Sequence, residues 1–152
     1  MPLDAVTKEP SNSCKGRAVD ISPNGKLCAV GFRDGSVRLF NTTGWKQMKT
    51  ISHAKKLLIQ DLKFSPNGQY LAVSSHDMLV YIYDVANFDK KPVVCKGSTS
   101  AVTHIDWSTD SKWIHSNDLS YELLFYSATT GEQDRAGSRT KKDEEWATWS
   151  LP

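Results

Sequence analysis

One heptapeptide recurs along this chain at a fixed interval. Val19-Asp20-Ile21-Ser22-Pro23-Asn24-Gly25 returns as Leu62-Lys63-Phe64-Ser65-Pro66-Asn67-Gly68, and more loosely as Ile105-Asp106-Trp107-Ser108-Thr109-Asp110-Ser111. The offset is 43 residues both times, and downstream positions hold the same register without gaps. Asp34 falls on Asp77, Val37 on Val80 and Leu123, and Phe40 on Tyr83 and Tyr126. A period of this length makes each copy one supersecondary unit that buries its apolar face against its neighbours.

Within a copy the apolar residues alternate, as in Val19 and Ile21, Val37 and Leu39, Leu62 and Phe64, or Val80 and Ile82. Alternation of that kind marks half-buried strands. Ser-Pro-Asn-Gly between them is a tight turn, because Pro presets φ and Asn and Gly accept positive φ. Each unit therefore reads as strand, turn, strand, short turn at Asp34-Gly35 or His76-Asp77, third strand, then a fourth strand. The fourth strands are predicted at Lys46 to Ile51, Pro92 to Lys96 and Glu132 to Ala136. No segment sustains a 3.6-residue apolar period, so helix should be scarce. The predicted fold is all-β: an incomplete β-propeller of about three four-stranded antiparallel blades plus the start of a fourth. A polar segment, 1–15, precedes the repeat region, 16–150, whose blades fall at about 16–52, 57–97 and 101–137. A charged loop from Ser138 to Glu145 follows, expected to be solvated. In Trp146-Ala147-Thr148-Trp149-Ser150, Trp149-Ser150 answers Trp107-Ser108 at an offset of 42. Closed propellers have four to eight blades, so this one should stay open. Exposed strand edges invite pairing with another chain, which makes self-association through open blade edges an outcome the reading allows.

Composition narrows the function. The chain has 152 residues, 39% of them hydrophobic, enough for one domain with a modest core. Nineteen basic residues against 17 acidic leave a net charge of +2, far from the clustered basic excess of a nucleic-acid binder. No apolar run approaches the roughly 18 residues of a membrane span. The opening MPLDAVTKEPSNS is polar and is not a secretory signal, so a soluble intracellular protein is expected. Cys14, Cys28 and Cys95 are too scattered for a metal knuckle or a disulfide framework. Cys28 and Cys95 read as small apolar strand residues.

The repeats resemble the WD-repeat family of propellers. In that family a loop His, a strand hydroxyl, an Asp in the turn before the third strand and a Trp on that strand form a buried hydrogen-bonded network. Asp34 and Asp77 stand in the matching turns, and His53 precedes the second blade. Phe40, Tyr83 and Tyr126 stand at the Trp position, six residues beyond the Asp position. The third copy has Ser120 in place of the Asp, with Asp118 two residues away, and the strand-hydroxyl position is Val30 or Val73. The resemblance thus implies blade-structural roles for Asp34, His53, Asp77, Tyr83, Trp107 and Tyr126, with apolar packing carrying more of the blades than the network does.

A narrower resemblance covers about 53–150. It is carried by Gln60-Asp61-Leu62-Lys63-Phe64-Ser65-Pro66, Tyr70-Leu71-Ala72-Val73-Ser74-Ser75-His76-Asp77 and Val102-Thr103-His104-Ile105-Asp106-Trp107-Ser108. Ser116-Asn117, Tyr121-Glu122-Leu123-Leu124-Phe125-Tyr126 and Glu145-Trp146-Ala147-Thr148-Trp149 extend it. Together these segments resemble the echinoderm microtubule-associated-protein-like (EML) family, whose tandem atypical propellers engage tubulin. Gly97-Ser98 departs from the Gly-His that the family tends to have. The family's hydrophobic motif, coiled coil and basic region are not visible in the sequence.

No constellation of catalytic residues emerges. His53, His76, His104 and His115 lie on different loops and strands. Ser75-His76-Asp77 holds the residue types of a hydrolase triad, but neighbours on a strand point to opposite faces and cannot line up. Gly31-Phe32-Arg33-Asp34-Gly35 is a strand turn and not a phosphate-cradling loop. Trp107, Tyr83 and Tyr126 occupy repeat positions and read as core, whereas Trp45, in a turn, is a candidate exposed anchor. The loop before each first strand and the turn between second and third strands belong to one end of a propeller. That groups Arg33, Lys55, Lys56, His76, Ser98, Thr99 and Asn117 as the candidate partner-binding face.

The function this implies is a non-catalytic protein-interaction module without cofactor or metal, cytoplasmic and cytoskeletal. Its implied partners are tubulin or microtubules and other proteins, with no nucleic acid and no membrane. Lys55-Lys56 is the loop expected to meet acidic tubulin surfaces. The alternative is a general WD-repeat scaffold in another intracellular complex, without tubulin contact.

Overall fold

A computed structural model describes residues 15–52 and 55–151. The turn chemistry of the repeat sets the strand boundaries. The Ser22 hydroxyl donates to Asn24 Oδ1 (2.7 Å) and accepts from the Leu27 amide (3.0 Å), while Asn24 Oδ1 accepts from the Lys26 amide. Ser65 and Asn67 repeat this against Tyr70 and Gln69, and Ser108 and Asp110 against Trp113 and Lys112. Gly25 and Gly68 take the positive φ this turn needs, and in the third copy Ser111 adopts it at 62°.

The strands are β1 (Gly16–Ile21), β2 (Leu27–Phe32), β3 (Ser36–Asn41), β4 (Gln47–Ser52), β5 (Ile59–Phe64), β6 (Tyr70–Ser75), β7 (Val80–Asp84), β8 (Val93–Cys95), β9 (Val102–Trp107), β10 (Trp113–Asp118) and β11 (Leu123–Ser127); the helical turn α1 (Gly137–Thr140) follows. They form antiparallel sheets β1-β2-β3-β4, β5-β6-β7-β8 and β9-β10-β11, the blades of an open, incomplete propeller. Register follows the sequence period. Cys28 faces Phe40, Leu71 faces Tyr83, and Ile114 faces Tyr126. Because side chains alternate across a strand, keeping that register puts corresponding residues on corresponding faces of every blade.

Two apolar layers join the blades. Ala29, Val37 and Leu39 of the first pack against Leu62, Phe64, Leu71, Val73 and Tyr83 of the second. Ala72, Val80, Ile82 and Cys95 of the second pack against Val102, Ile105, Trp107, Ile114 and Tyr126 of the third. Full burial of one such aliphatic side chain contributes about 1.5–3 kcal/mol, so these layers, not isolated polar contacts, hold the blades together. The inner strands are also tied by side chain to backbone. Asp20 Oδ2 accepts from the Phe64 amide (2.8 Å), and Asp61 Oδ2 from the Ile105 amide (3.1 Å). On the first blade's other face Val19 and Ile21 are exposed.

The third blade departs from expectation. The predicted strand Glu132 to Ala136 is a single bridge between Gln133 and Tyr126, and the chain then turns into α1. Asp134 causes the turn: its Oδ1 accepts from the Ala136 amide (2.9 Å), its Oδ2 from the Thr140 hydroxyl (2.6 Å), and Lys141 Nζ lies 3.4 Å away. These local bonds compete with strand pairing. The charged stretch expected to be solvated is only partly so, because Lys141 lies 3.5 Å above the centre of the Trp113 ring. The expected fourth-blade opening is a bridge from Trp146 to Ser108, with the Ala147 amide donating to Trp107 O (2.7 Å). The buried indole is Trp146, at 6% exposure, while Trp149 is 67% exposed. The segment attaches to the end of β9, and that geometry turns Trp146 onto the third blade.

Candidate partner-binding face

The β2–β3, β6–β7 and β10–β11 turns share one end of the propeller with the β4–β5 and β8–β9 connections. The His76 amide donates to Leu58 O (3.0 Å), and the Leu119 amide donates to Ala101 O (3.1 Å). A Cβ on Gly35 would lie 2.7–2.8 Å from the Lys56 and Leu57 backbone. Each connection thus leans on a turn.

On this end Arg33, Lys55, Lys56, His76 and Thr99 are exposed. His76 Nε2 lies 3.3 Å from Gln60 Oε1, which also accepts from Arg17 Nη2 (3.1 Å). Asn117 is half-buried, and its Oδ1 accepts from the Thr103 hydroxyl (2.9 Å), so it is turned into its own sheet. The Ser98 hydroxyl is buried and faces the Tyr126 phenol. Burial pushes that phenol up, and the neighbouring Ser98 and Ser116 hydroxyls partly offset the effect. Trp45 is 52% exposed, with φ of 57°, in the β3–β4 turn at the other end of the blade.

The acids of this end are occupied internally. Asp34 Oδ1 accepts from the Ser36 amide (2.9 Å) and hydroxyl (2.6 Å), and its Oδ2 lies 3.9 Å from Arg38 Nη2. Asp77 is buried; it accepts from the Leu79 amide (3.1 Å) and from the Tyr81 hydroxyl. In the third blade Asp118 does this work, taking the Ser120 (2.9 Å) and Glu122 (3.1 Å) amides on Oδ1. The turn acids also have side-chain partners four residues on, at Arg38 and Tyr81, besides the six-residue position of the WD-type pattern. The signal was present in sequence, since Arg38 and Tyr81 are themselves one period apart. Tyr83 is buried, and burial followed by the Asp77 charge pushes its phenol up. Trp107 and Tyr126 are each 1% exposed. His53 lies outside the described residues.

Ser75 and Asp77 are buried while His76 is exposed, so the three do not converge. Burial pushes both the Cys28 and Cys95 thiols up, Cys95 to about 12, which removes thiolate character. Between the inner strands, a cleft of about 180 Å³ is lined by Asp20, Asp61, Lys63 and Asp106. Its acids accept the inter-blade amide bonds, and Asp106 takes the Thr148 amide (3.1 Å) in the same way.

Residues 4–152 match the family model described as the echinoderm microtubule-associated protein second beta-propeller. The chain belongs to that family. It is 42% identical over 132 residues to the 77 kDa echinoderm microtubule-associated protein of Lytechinus variegatus, covering 84% of this chain and 19% of the relative. It is 33% identical over 138 residues to human echinoderm microtubule-associated protein-like 3, covering 89% and 15%. It is 31% identical over 150 residues to human echinoderm microtubule-associated protein-like 1, covering 97% and 18%. The chain thus spans between a seventh and a fifth of the length of these curated relatives. Within the family's second propeller, the described blades supply one loop end, with its exposed cations and committed acids.

Proposed function

We propose that this chain is a non-catalytic interaction module that associates with tubulin or microtubules in the cytoplasmic cytoskeleton. Membership of a family whose relatives are named as microtubule-associated proteins supports the reading. The observation that carries it is the charge arrangement of the loop end. Arg33, Lys55 and Lys56 are exposed, whereas Asp34, Asp77 and Asp118 are bound within their own turns. Among the described residues this end therefore offers cations to a partner while its turn acids are engaged, which suits an acidic protein surface. With a net charge of only +2, long-range steering is weak and shape-complementary docking supplies most of the affinity.

The test is binding of the purified chain to soluble tubulin and to polymerised microtubules, side by side at low and physiological salt. Saturable binding at physiological salt supports the reading. Binding seen only at low salt is nonspecific charge attraction, since exposed charges are largely screened at physiological ionic strength. No binding by folded protein favours a scaffold without tubulin contact.

A further inference from the structure

Ser-Pro-Asn-Gly occurs twice, at 22–25 and at 65–68, and both asparagines are exposed. Asparagine before glycine is chemically labile, because a residue without a side chain leaves its backbone nitrogen open to the asparagine amide. Identical local sequence gives the two sites the same intrinsic reactivity. Any difference between them in the folded chain therefore comes from their surroundings.

The two turns begin alike. In each, the serine hydroxyl and one backbone amide donate to the asparagine Oδ1, and the glycine amide donates to the serine carbonyl at 2.8 Å. Beyond that the neighbours differ. The Asn67 backbone amide donates to Ser111 Oγ of the third blade (3.1 Å). One period before Ser111 stands Gly68, which lies against Pro23 and has no hydroxyl to offer Asn24. Asn67 Nδ2 donates to Gln69 Oε1 (3.2 Å). The first copy has Lys26 at that position, and an ammonium accepts nothing. The Thr42 hydroxyl does donate to Gly25 O, but it holds the peptide after Gly25 and not the nitrogen before it. Asn24 also belongs to the blade that exposes Val19 and Ile21, whereas the blade of Asn67 is packed on both sides. Local opening is easier where fewer contacts hold a segment.

We propose that Asn24 is a site of spontaneous deamidation, a reaction that the clamp from the third blade denies to Asn67. The Gly25 nitrogen bonds to Asn24 Cγ and gives up its proton to solvent, while Nδ2 takes a proton from solvent and leaves as ammonia. Water then opens the resulting ring on either side, leaving aspartate or its isoaspartyl isomer. The third copy shows what aspartate does in this turn. Asp110 accepts from the Ser108 hydroxyl (2.6 Å) and the Lys112 amide (3.0 Å), as the asparagines do from theirs. Aspartate at 24 therefore keeps the turn, and the isoaspartyl form, with an extra methylene in the main chain, breaks it. Either product adds a negative charge at the end of the blades opposite the candidate partner-binding face.

The experiment incubates the purified chain and Ser111→Gly near neutral pH, folded and in urea, and follows both asparagines by peptide mapping with mass spectrometry. In urea the two rates should agree. In the folded parent Asn24 should react at least about threefold faster than Asn67, a ratio that one neutral hydrogen bond supports. Ser111→Gly places glycine at a φ of 62°, which glycine adopts readily, and should raise the Asn67 rate toward that of Asn24. Equal rates in the folded parent, or a faster Asn67, overturn the proposal. Reaction confined to the unfolded chain overturns it too, by showing that the turn itself protects both sites. A parent-like Asn67 rate in folded Ser111→Gly overturns the clamp on which the proposal stands.

Discussion

The His115 imidazole lies flat on the Trp146 indole, with 3.6 Å between ring centroids and 4° between planes. Phe125 closes the stack at a tilt, 5.8 Å from the imidazole and 5.9 Å from the indole. This aromatic layer covers the outer face of the third blade, and it leaves His115 Nε2 buried 4.0 Å from Asp106 Oδ2. Burial holds the imidazole down at about 4, with the Asp106 charge acting in the opposite sense and Lys63 lowering it further.

That depression makes stability depend on pH with a definite sign. Unfolded His115 takes up a proton near pH 6.5, but in the folded chain it stays neutral until about pH 4. The contribution is therefore complete above pH 6.5 and is lost as pH falls from there to about 4. At 1.36 kcal/mol per unit, its full size is on the order of 3 kcal/mol. Urea midpoints measured from pH 8 to pH 4 should fall less steeply for His115→Phe than for the parent, while carboxylate titration below pH 5 remains common to both. Equal slopes above pH 5 would refute this account.

Trp107 is 1% exposed, stacks on Tyr70 with 6.1 Å between centroids, and donates its indole N–H to Lys63 O (3.0 Å) across the blade boundary. Trp107→Ala should cost about 3–5 kcal/mol in equilibrium unfolding. A loss under about 1 kcal/mol would contradict its place in the core.

Gly35→Ala introduces a Cβ at a φ of 80° and within 2.8 Å of the Lys56 backbone. The backbone penalty alone is about 1–2 kcal/mol, and the clash adds to it. We expect a destabilisation of roughly 2 kcal/mol or more, together with faster amide exchange in the 55–58 connection. A neutral effect in both measurements would show that the connection yields freely.

The Lys55 and Lys56 side chains are exposed. Reversing both charges to Glu should leave the circular dichroism spectrum and the melting temperature intact. Microtubule affinity should drop, and its salt dependence should flatten. Unchanged affinity would remove this loop from the interface.

The blades were legible in the sequence because their causes are local. Alternation of apolar residues depends on near neighbours, and Ser-Pro-Asn-Gly closes its own turn through Ser22 and Asn24. Three copies at one spacing then imply one register, and Cys28–Phe40, Leu71–Tyr83 and Ile114–Tyr126 obey it. The grouping of turns and connections at one end was legible too, as a consequence of strand order. Less visible was the direction each side chain takes there. Ser98 turns its hydroxyl toward Tyr126, Asn117 bonds back to Thr103, and Tyr121 stands free at a backbone angle its residue type disfavours.

By itself, then, the sequence determined the period, the strands β1 to β11, the turns between them and the family to which the chain belongs. Tertiary structure decided which tryptophan is buried, which residue partners each turn acid, and whether Glu132 to Ala136 forms a strand. Those outcomes depend on the surface each segment meets. Trp146 is buried because its neighbours bond to β9 and the turn after it, the Glu145 carbonyl accepting from the Thr109 amide and the Ala147 amide donating to Trp107 O, which lays its ring on His115, and Asp134 ends the strand because its carboxylate finds Ala136 and Thr140 within reach. Repetition along a chain specifies what is the same in every blade; contacts across space settle what differs between them.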